Sequence, residues 1–438
     1  MRYPACTGHL ELTFTQQSLF ENEAARPLAP PAGSFKDALR DFSWDGKTTS
    51  ILSTIANLED GPLAVDTYVN EFWTSRQRAA HSLHEISYRA CFKPQLPRFF
   101  IERLTRPGDT VYDPFMGRGT TMLEAALLGR RPAGCDINPL SRVLIEPRLH
   151  PPILEDVNAR LSEIDLRTVR ETPDDLLAFY HPDTLREIGA LRTYFLDRLH
   201  EGCLDDVDRW IRMVAVNRLT GHSPGFFSVY TLPPNQAAST AAQRKINADR
   251  GQTPPRRDVR RLILRKSRAL MADCSSGVRR TLEGVARASQ LFTAPAASTP
   301  ELAAGSVDLV VTSPPFLDVV NYAGDNWLRC WFCGIDPASV TLTVVRKLEA
   351  WRQEMTGAFT ELARVLKPGG HVAFEVGEVR AGSLRLEEHV LPCGVAAGLE
   401  PVLVLINAQQ FTKTAACWGV DNNAKGTNTN RIVLFRKP

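Results

Sequence analysis

Two stretches of this 438-residue chain carry residue types whose order could do chemistry. The first is Thr312-Ser313-Pro314-Pro315-Phe316, which follows an apolar, β-branched run at 306–311. That run predicts a buried parallel strand. Two consecutive prolines must end it, because neither can donate to a ladder, while the carbonyls of Ser313 and Pro314 stay free to accept. A stiff turn of acceptors suits an exocyclic amino group. It would hold the amine hydrogens, aim the nitrogen lone pair at an electrophile and leave Phe316 to stack on the attached ring. By itself the tetrapeptide fits a Pro-Pro turn closing a core strand equally well.

The second stretch runs Thr110-Val111-Tyr112-Asp113-Pro114-Phe115-Met116-Gly117-Arg118-Gly119-Thr120-Thr121. It reads as a short strand, a glycine turn and a helix over 122–128 closed by Gly129. Gly117 and Gly119 allow the backbone to approach a ligand where a Cβ would collide, and the helix start adds free N–H groups. A nucleotide-like ligand fits such a loop. The next predicted strand ends in Cys135-Asp136-Ile137-Asn138-Pro139. An acid at that position, about 20 residues past the glycine loop, suits a ribose diol. A nicotinamide dinucleotide site is the competing reading, but Gly-x-Gly-Thr-Thr lacks the third glycine of that fingerprint.

Together these residues resemble the amino-methyltransferases of DNA. Ser313-Pro314-Pro315-Phe316 matches the serine form of their catalytic tetrapeptide, associated mainly with cytosine N4. Asp113-Pro114-Phe115-x-Gly117-x-Gly119-Thr120-Thr121, followed by Asp136-Ile137, looks like their S-adenosyl-L-methionine site. The resemblance implies a mostly parallel, doubly wound α/β sheet of the Rossmann-like class I methyltransferase kind. It places Lys93-Pro94 at the wall around the methionine end of the cofactor. It also implies double-stranded DNA as partner, a base flipped out of the duplex, and the possibility of a cognate restriction endonuclease. Methylation of adenine N6, of structured RNA, or DNA binding without catalysis stay open as alternatives. One departure is the segment Leu291-Phe292-Thr293-Ala294-Pro295, which has no acid where the family often places one near the adenine.

Composition narrows the setting. The chain is 43% hydrophobic and 23% charged, as expected of a globular protein. It has no apolar run of about 18 residues and no signal-peptide core at its start, so cytoplasmic residence and no membrane association are expected. Nine scattered cysteines suit reduced thiols. Cys330 and Cys333 have metal-like spacing but no second pair and lie on an apolar helix face, so no metal site is expected.

Four segments follow. Residues 1–67 read as an N-terminal arm without assigned chemistry, 68–150 as the first half of the methyltransferase domain, 151–300 as a helical insertion, and 301–438 as the second half. The insertion predicts helices around 152–164, 182–201, 205–218 and 256–288, and no strands. Net charge is +3, yet residues 244–268 hold ten lysines and arginines against two aspartates. Arg256, Arg257, Arg260, Arg261, Arg265 and Arg268 recur at helical spacing, which suggests phosphate contact in a target-recognition region. The bland alternative is a solvated face.

Overall fold

The computed structural model describes residues 34–73, 80–88, 91–168, 172–231, 237–315, 322–336, 340, 347–376, 378–379, 384–408 and 429–438. The chain opens with α1 (Phe35–Arg40), which begins at a reciprocal Ser34–Asp37 cap. A ribbon of β1 (Ser43–Trp44) and β2 (Lys47–Thr48) precedes the long hairpin of β3 (Ser50–Leu58) and β4 (Gly61–Asn70). Then come α2 (Gln95–Leu104), β5 (Thr110–Asp113), α3 (Thr120–Leu127), β6 (Arg131–Asp136) and α4 (Leu140–Leu149). The stretch between the two motifs forms α5 (Leu154–Glu163), α6 (Pro182–His200), α7 (Asp206–Val216), α8 (Thr240–Asp249), α9 (Val259–Leu270), α10 (Ser276–Ala286) and β7 (Gln290–Thr293). The remainder is β8 (Val307–Thr312), α11 (Tyr322–Cys333), α12 (Leu348–Val365), β9 (Leu366–Val376), the short pair β10 (Glu378–Val379) and β11 (Leu384–Arg385), α13 (Leu386–Ala396), β12 (Glu400–Ala408) and β13 (Thr429–Arg436).

One sheet has the order β3-β4-β12-β13-β9-β8-β5-β6-β7. β13 runs antiparallel to both its neighbours and β3 antiparallel to β4; the other pairs are parallel. Strands β4, β12, β9, β8, β5, β6 and β7 therefore point their carboxyl ends the same way. From β5 the chain winds outwards through β6 to β7, then returns to lay β8 on the other side of β5. That reversal opens a crevice where open α/β sheets bind ligands.

The sheet is covered on both faces, as period-two burial requires. Ile432 and Leu434 of β13 pack with Phe99 and Phe100 of α2 on one side. Val433 and Phe435 pack with Trp351 and Phe359 of α12 on the other. The helices between the motifs share a core with Leu140 and Leu144 of α4 and Phe332 of α11, so they are seated on the sheet's glycine-loop end. Among the described residues no helix is long and apolar enough to cross a membrane.

The mostly parallel, doubly wound sheet agrees with the sequence reading, with two findings it did not contain. Residues 50–70, left in or beside an unassigned arm, supply two strands of the sheet. Val404 to Asn407 of β12 pair with Thr67 to Asn70 of β4, which carries the chain to the carboxyl end. The second is β7, which lies inside the segment read as free of strands and pairs Gln290–Thr293 with Ala133–Asp136. Only four residues long and half-exposed, it has no apolar alternation from which a strand could be read.

Candidate active site

The two motifs meet at the switch point. Val111 and Tyr112 of β5 are in register with Leu309 and Val310 of β8. Beyond the last paired residues, Thr312 Oγ1 donates to Asp113 Oδ1 at 2.6 Å, and Thr121 Oγ1 to the Val311 carbonyl at 3.0 Å. Asp113 is 2% exposed. Burial pushes its carboxyl up to about 7, although hydrogen bonds from Thr312, the Phe115 amide and Thr121 pull the other way. Pro114 beside it is buried and Phe115 half-buried.

In the glycine loop, Gly117 has φ +49° and Gly119 φ +77°. A Cβ on Gly119 would stand 2.3 Å from Ile145 Cγ1, so this glycine lets α4 pack against the start of α3. A Cβ on Gly117 would meet only Tyr88 Cε1 at 3.7 Å and the Phe115 carbonyl at 3.8 Å. Space at 117 is open towards the crevice side. Thr120 and Thr121 are buried in the first turn of α3, whose N-terminal end is capped by no side chain.

Asp136 ends β6 and accepts the Gly117 N–H at Oδ2 (2.9 Å) and the Asn138 N–H at Oδ1 (2.8 Å). Burial raises its pKa and these bonds lower it. Each oxygen keeps a lone pair, so a vicinal diol can still be accommodated. Ile137 follows, half-buried. The segment after β7 flanks this acid, since Ala294 donates its N–H to the Asp136 carbonyl at 3.2 Å. Pro94 is buried as the N-cap of α2, while Lys93 is exposed.

Around the loop the backbone is clamped by groups with no obvious sequence signature. Arg148, 1% exposed, donates to the carbonyls of Leu144 (2.8 Å), Leu83 (3.3 Å) and Arg118. Burial lowers its pKa to about 9. His84 and Glu124 form a buried pair, Nε2 to Oε1 2.7 Å, and burial lowers the histidine pKa. Together these hold the 80–88 segment so that the Tyr88 ring lies beside Gly117. Arg329 of α11 closes the group from above, 5.7 Å from the Tyr88 ring centroid and 3.2 Å from the Ser87 carbonyl.

The Ser-Pro-Pro turn is held from two sides. Trp351 Nε1 of α12 donates to the Pro315 carbonyl at 3.0 Å, which leaves the carbonyls of Ser313 and Pro314 as the candidate acceptors. The Ser313 side chain hydrogen-bonds Glu375 at the end of β9, and Asn430 Nδ2 donates to Glu375 Oε1 at 3.1 Å. Glu375 is 5% exposed, and burial raises its pKa against those two bonds. Phe316 lies outside the described residues, as does most of the 418–430 loop.

Parts of the chain are similar to known proteins. Residues 46–142 fit the family model described as DNA methylase, N6_N4_Mtase. Over 301 residues, 63% of this chain and 57% of the relative, the sequence is 22% identical to the type II methyltransferase M.BsoBI of Geobacillus stearothermophilus. Residues 46–142 thus resemble the N6/N4 DNA methylases, and the chain is distantly similar to type II DNA methyltransferases. A second type II methyltransferase, M.MjaII of Methanocaldococcus jannaschii, is 36% identical over 74 residues, which cover 17% of this chain and 14% of that one. The chain thus spans little more than half the length of the first relative and a small part of the second. Among solved structures, geranyl diphosphate C-methyltransferase from Streptomyces coelicolor, in complex with S-adenosyl-L-homocysteine, aligns over 78% of each chain at 8% identity and TM-score 0.32.

The six arginines that were read as one stripe do not share one environment. Arg256 pairs with Glu187 (2.9 Å) and Asp183 (3.5 Å) of α6. Arg260 donates to the carbonyls of Leu161 (2.7 Å) and Ile164 (2.6 Å), tying down the end of α5. Arg257 is half-buried; Arg261, Arg265 and Arg268 are exposed. Glu375, Trp351, Tyr88 and Arg148 were missed from sequence. For Glu375 a signal existed, since an acid closing a parallel-strand pattern is what marked Asp136. For the other three the signal is tertiary.

Proposed function

We propose that this protein transfers a methyl group from S-adenosyl-L-methionine to the exocyclic N4 of a cytosine flipped out of double-stranded DNA. The observation that carries the reading is the direct joining of the two motifs, Asp113 to Thr312, with Ser313-Pro314-Pro315 issuing from the same crevice. The residues present fit the cofactor. Asp136 would take the ribose hydroxyls, Gly117 the close backbone approach, and Tyr88 with the Lys93-Pro94 corner the methionine end. When bound, S-adenosyl-L-methionine supplies an electrophilic methyl on a sulfonium.

The target amine is a poor nucleophile because its lone pair is delocalised into the ring. Carbonyls of Ser313 and Pro314 accept its hydrogens, favour a pyramidal nitrogen and fix the direction of the lone pair. Glu375 orients the Ser313 hydroxyl, so the serine oxygen can turn a lone pair to the same amine. Phe316 stacks on the base, whose ring must leave the duplex to be reached. Double-stranded DNA as substrate and a cognate endonuclease as partner belong to this proposal, as do cytosine over adenine and phosphate contacts from Arg257, Arg261, Arg265 and Arg268, whereas Arg256 and Arg260 are occupied within the fold. Nucleoside mass spectrometry of duplex DNA incubated with the protein and the methyl donor tests it. N4-methylcytosine is expected; N6-methyladenine would move the assignment to the other base, and no methylated nucleoside would refute it.

A further inference from the structure

Three cations converge beside the 80–88 segment that carries Tyr88, and of these only Arg265 belongs to the stripe read from sequence. Arg218, just after α7, is 9% exposed; its Nε donates to the Asn217 carbonyl at 2.8 Å and its guanidinium lies 4.1 Å from the Phe226 ring centroid. Arg265 and Lys266 approach from α9. Arg265 Nη2 would be 3.1 Å from a Cβ on Gly225, so it lies against the 223–225 turn. Among the described residues neither Arg218 nor Arg265 makes an ion pair, and the acid nearest Lys266 is Glu85 at 3.9 Å, itself largely exposed.

Buried Arg218, packed beside half-buried Lys266 and exposed Arg265 with no acid paired to it among the described residues, is costly to hold charged. The cost shows in their titration: burial and Arg265 lower Arg218 to about 10, and burial and Arg218 lower Lys266 to about 8 while Glu85 acts the other way. An anion placed among them would relieve both burial and mutual repulsion. The place matters too. Asn217 Oδ1 accepts the Ser87 N–H at 2.9 Å, and the next residue is Tyr88 beside Gly117. Arg218 is thus tied, through Asn217 and Ser87, to the segment whose Tyr88 lies beside Gly117.

We propose that Arg218, Arg265 and Lys266 together bind a single backbone phosphate of the DNA strand that carries the target base. This rests on the DNA reading above and sharpens it, because it separates phosphate-binding residues from Arg256 and Arg260, which are occupied within the fold. Guanidinium groups suit a phosphate oxygen pair, and Lys266 adds a point charge.

The test uses the full chain and a fluorescent duplex of about 30 base pairs, with anisotropy titrations across a salt series. The Arg265→Gln/Lys266→Gln double variant leaves buried Arg218 in place, and thermal melting verifies its fold. The slope of log Kobs against log salt should become shallower by about 1, with roughly tenfold weaker binding at moderate salt, while Arg256→Gln keeps the wild-type slope. If the double variant melts early, Arg265→Lys/Lys266→Arg should restore the slope. A wild-type slope in the folded double variant overturns the assignment and leaves the DNA reading standing. Inorganic phosphate is the second probe. Phosphorus NMR broadening lost in the double variant, with duplex binding unchanged, would make this a free-anion site and also overturn the proposal. A wild-type chain that binds no duplex would sink both.

Discussion

Gly117 and Gly119 sit two residues apart with the same left-handed backbone, yet substituting them should fail in different ways. For Gly119→Ala, an L-residue at φ +77° costs about 1–2 kcal/mol. The new methyl would also stand 2.3 Å from Ile145 Cγ1 and 2.7 Å from its Cδ1, far inside van der Waals contact. Overpacking of that kind typically adds about 1–3 kcal/mol. The sum, about 2–5 kcal/mol, corresponds to a melting temperature lower by roughly 4–10 °C at about 2 °C per kcal/mol. Ile145→Ala should relieve the clash, so the double variant should be more stable than the two single losses added together. For Gly117→Ala the backbone cost is similar, but the nearest atoms are at ordinary contact distance, 3.7 and 3.8 Å. Its damage should appear in ligand binding: calorimetry with S-adenosyl-L-homocysteine should show affinity lowered by roughly tenfold or more, about 1.4 kcal/mol, while melting falls only by the roughly 2–4 °C of the backbone cost. Wild-type ligand affinity in folded Gly117→Ala, or an unchanged melting temperature in Gly119→Ala, would refute the division of roles.

Other expected outcomes follow from the same geometry. Asp113 keeps its proton to about pH 7 when folded and to about 3.9 when unfolded, so the folded state binds more protons in between and wild-type stability falls as pH rises through that window. Relative to wild type, Asp113→Asn should gain on the order of 4 kcal/mol between pH 4 and pH 8 in denaturant titrations; a pH-independent difference would contradict the buried-acid assignment. Glu375→Gln should lower kcat by roughly ten- to a hundredfold with S-adenosyl-L-homocysteine affinity retained, because the Ser313 hydroxyl loses the carboxyl group that orients it; equal turnover would remove Glu375 from the site. Ser313→Ala should weaken transfer and Pro315→Ala nearly abolish it while cofactor binding persists, which single-turnover assays would show. His84→Ala leaves Glu124 buried without its partner and should cost about 3 kcal/mol in thermal or denaturant unfolding.

The proposed site residues were legible because each is local. A β-branched run, a forced stop at Pro314-Pro315, two glycines and an acid at a strand end can all be read along the chain, and they meet where the motifs require. What escaped reading depends on distant partners. β4 pairs with β12, and no nearby residue of Thr67–Asn70 foretells Val404–Asn407. Even so, the two-residue Glu59-Asp60 loop before Gly61 was a hairpin signal within the supposed arm. The arginine run misled in part for a similar reason. Helical spacing shows which side chains share a face, but not that Asp183 and Glu187 of another helix neutralise Arg256 or that the end of α5 claims Arg260. Trp351 and Arg148 act on backbone carbonyls from other elements, and that has no sequence pattern at all.

Everything proposed for this site depends on an amine being held at Ser313-Pro314 within reach of the glycine loop. The most direct measurement is incubation of purified wild-type protein and Pro315→Ala with duplex DNA and isotopically labelled S-adenosyl-L-methionine, followed by digestion to nucleosides and mass spectrometry. Labelled N4-methylcytosine should form with the wild-type protein and nearly vanish with the variant, both proteins binding S-adenosyl-L-homocysteine alike. Label on no base, or equal label from both proteins, would contradict it.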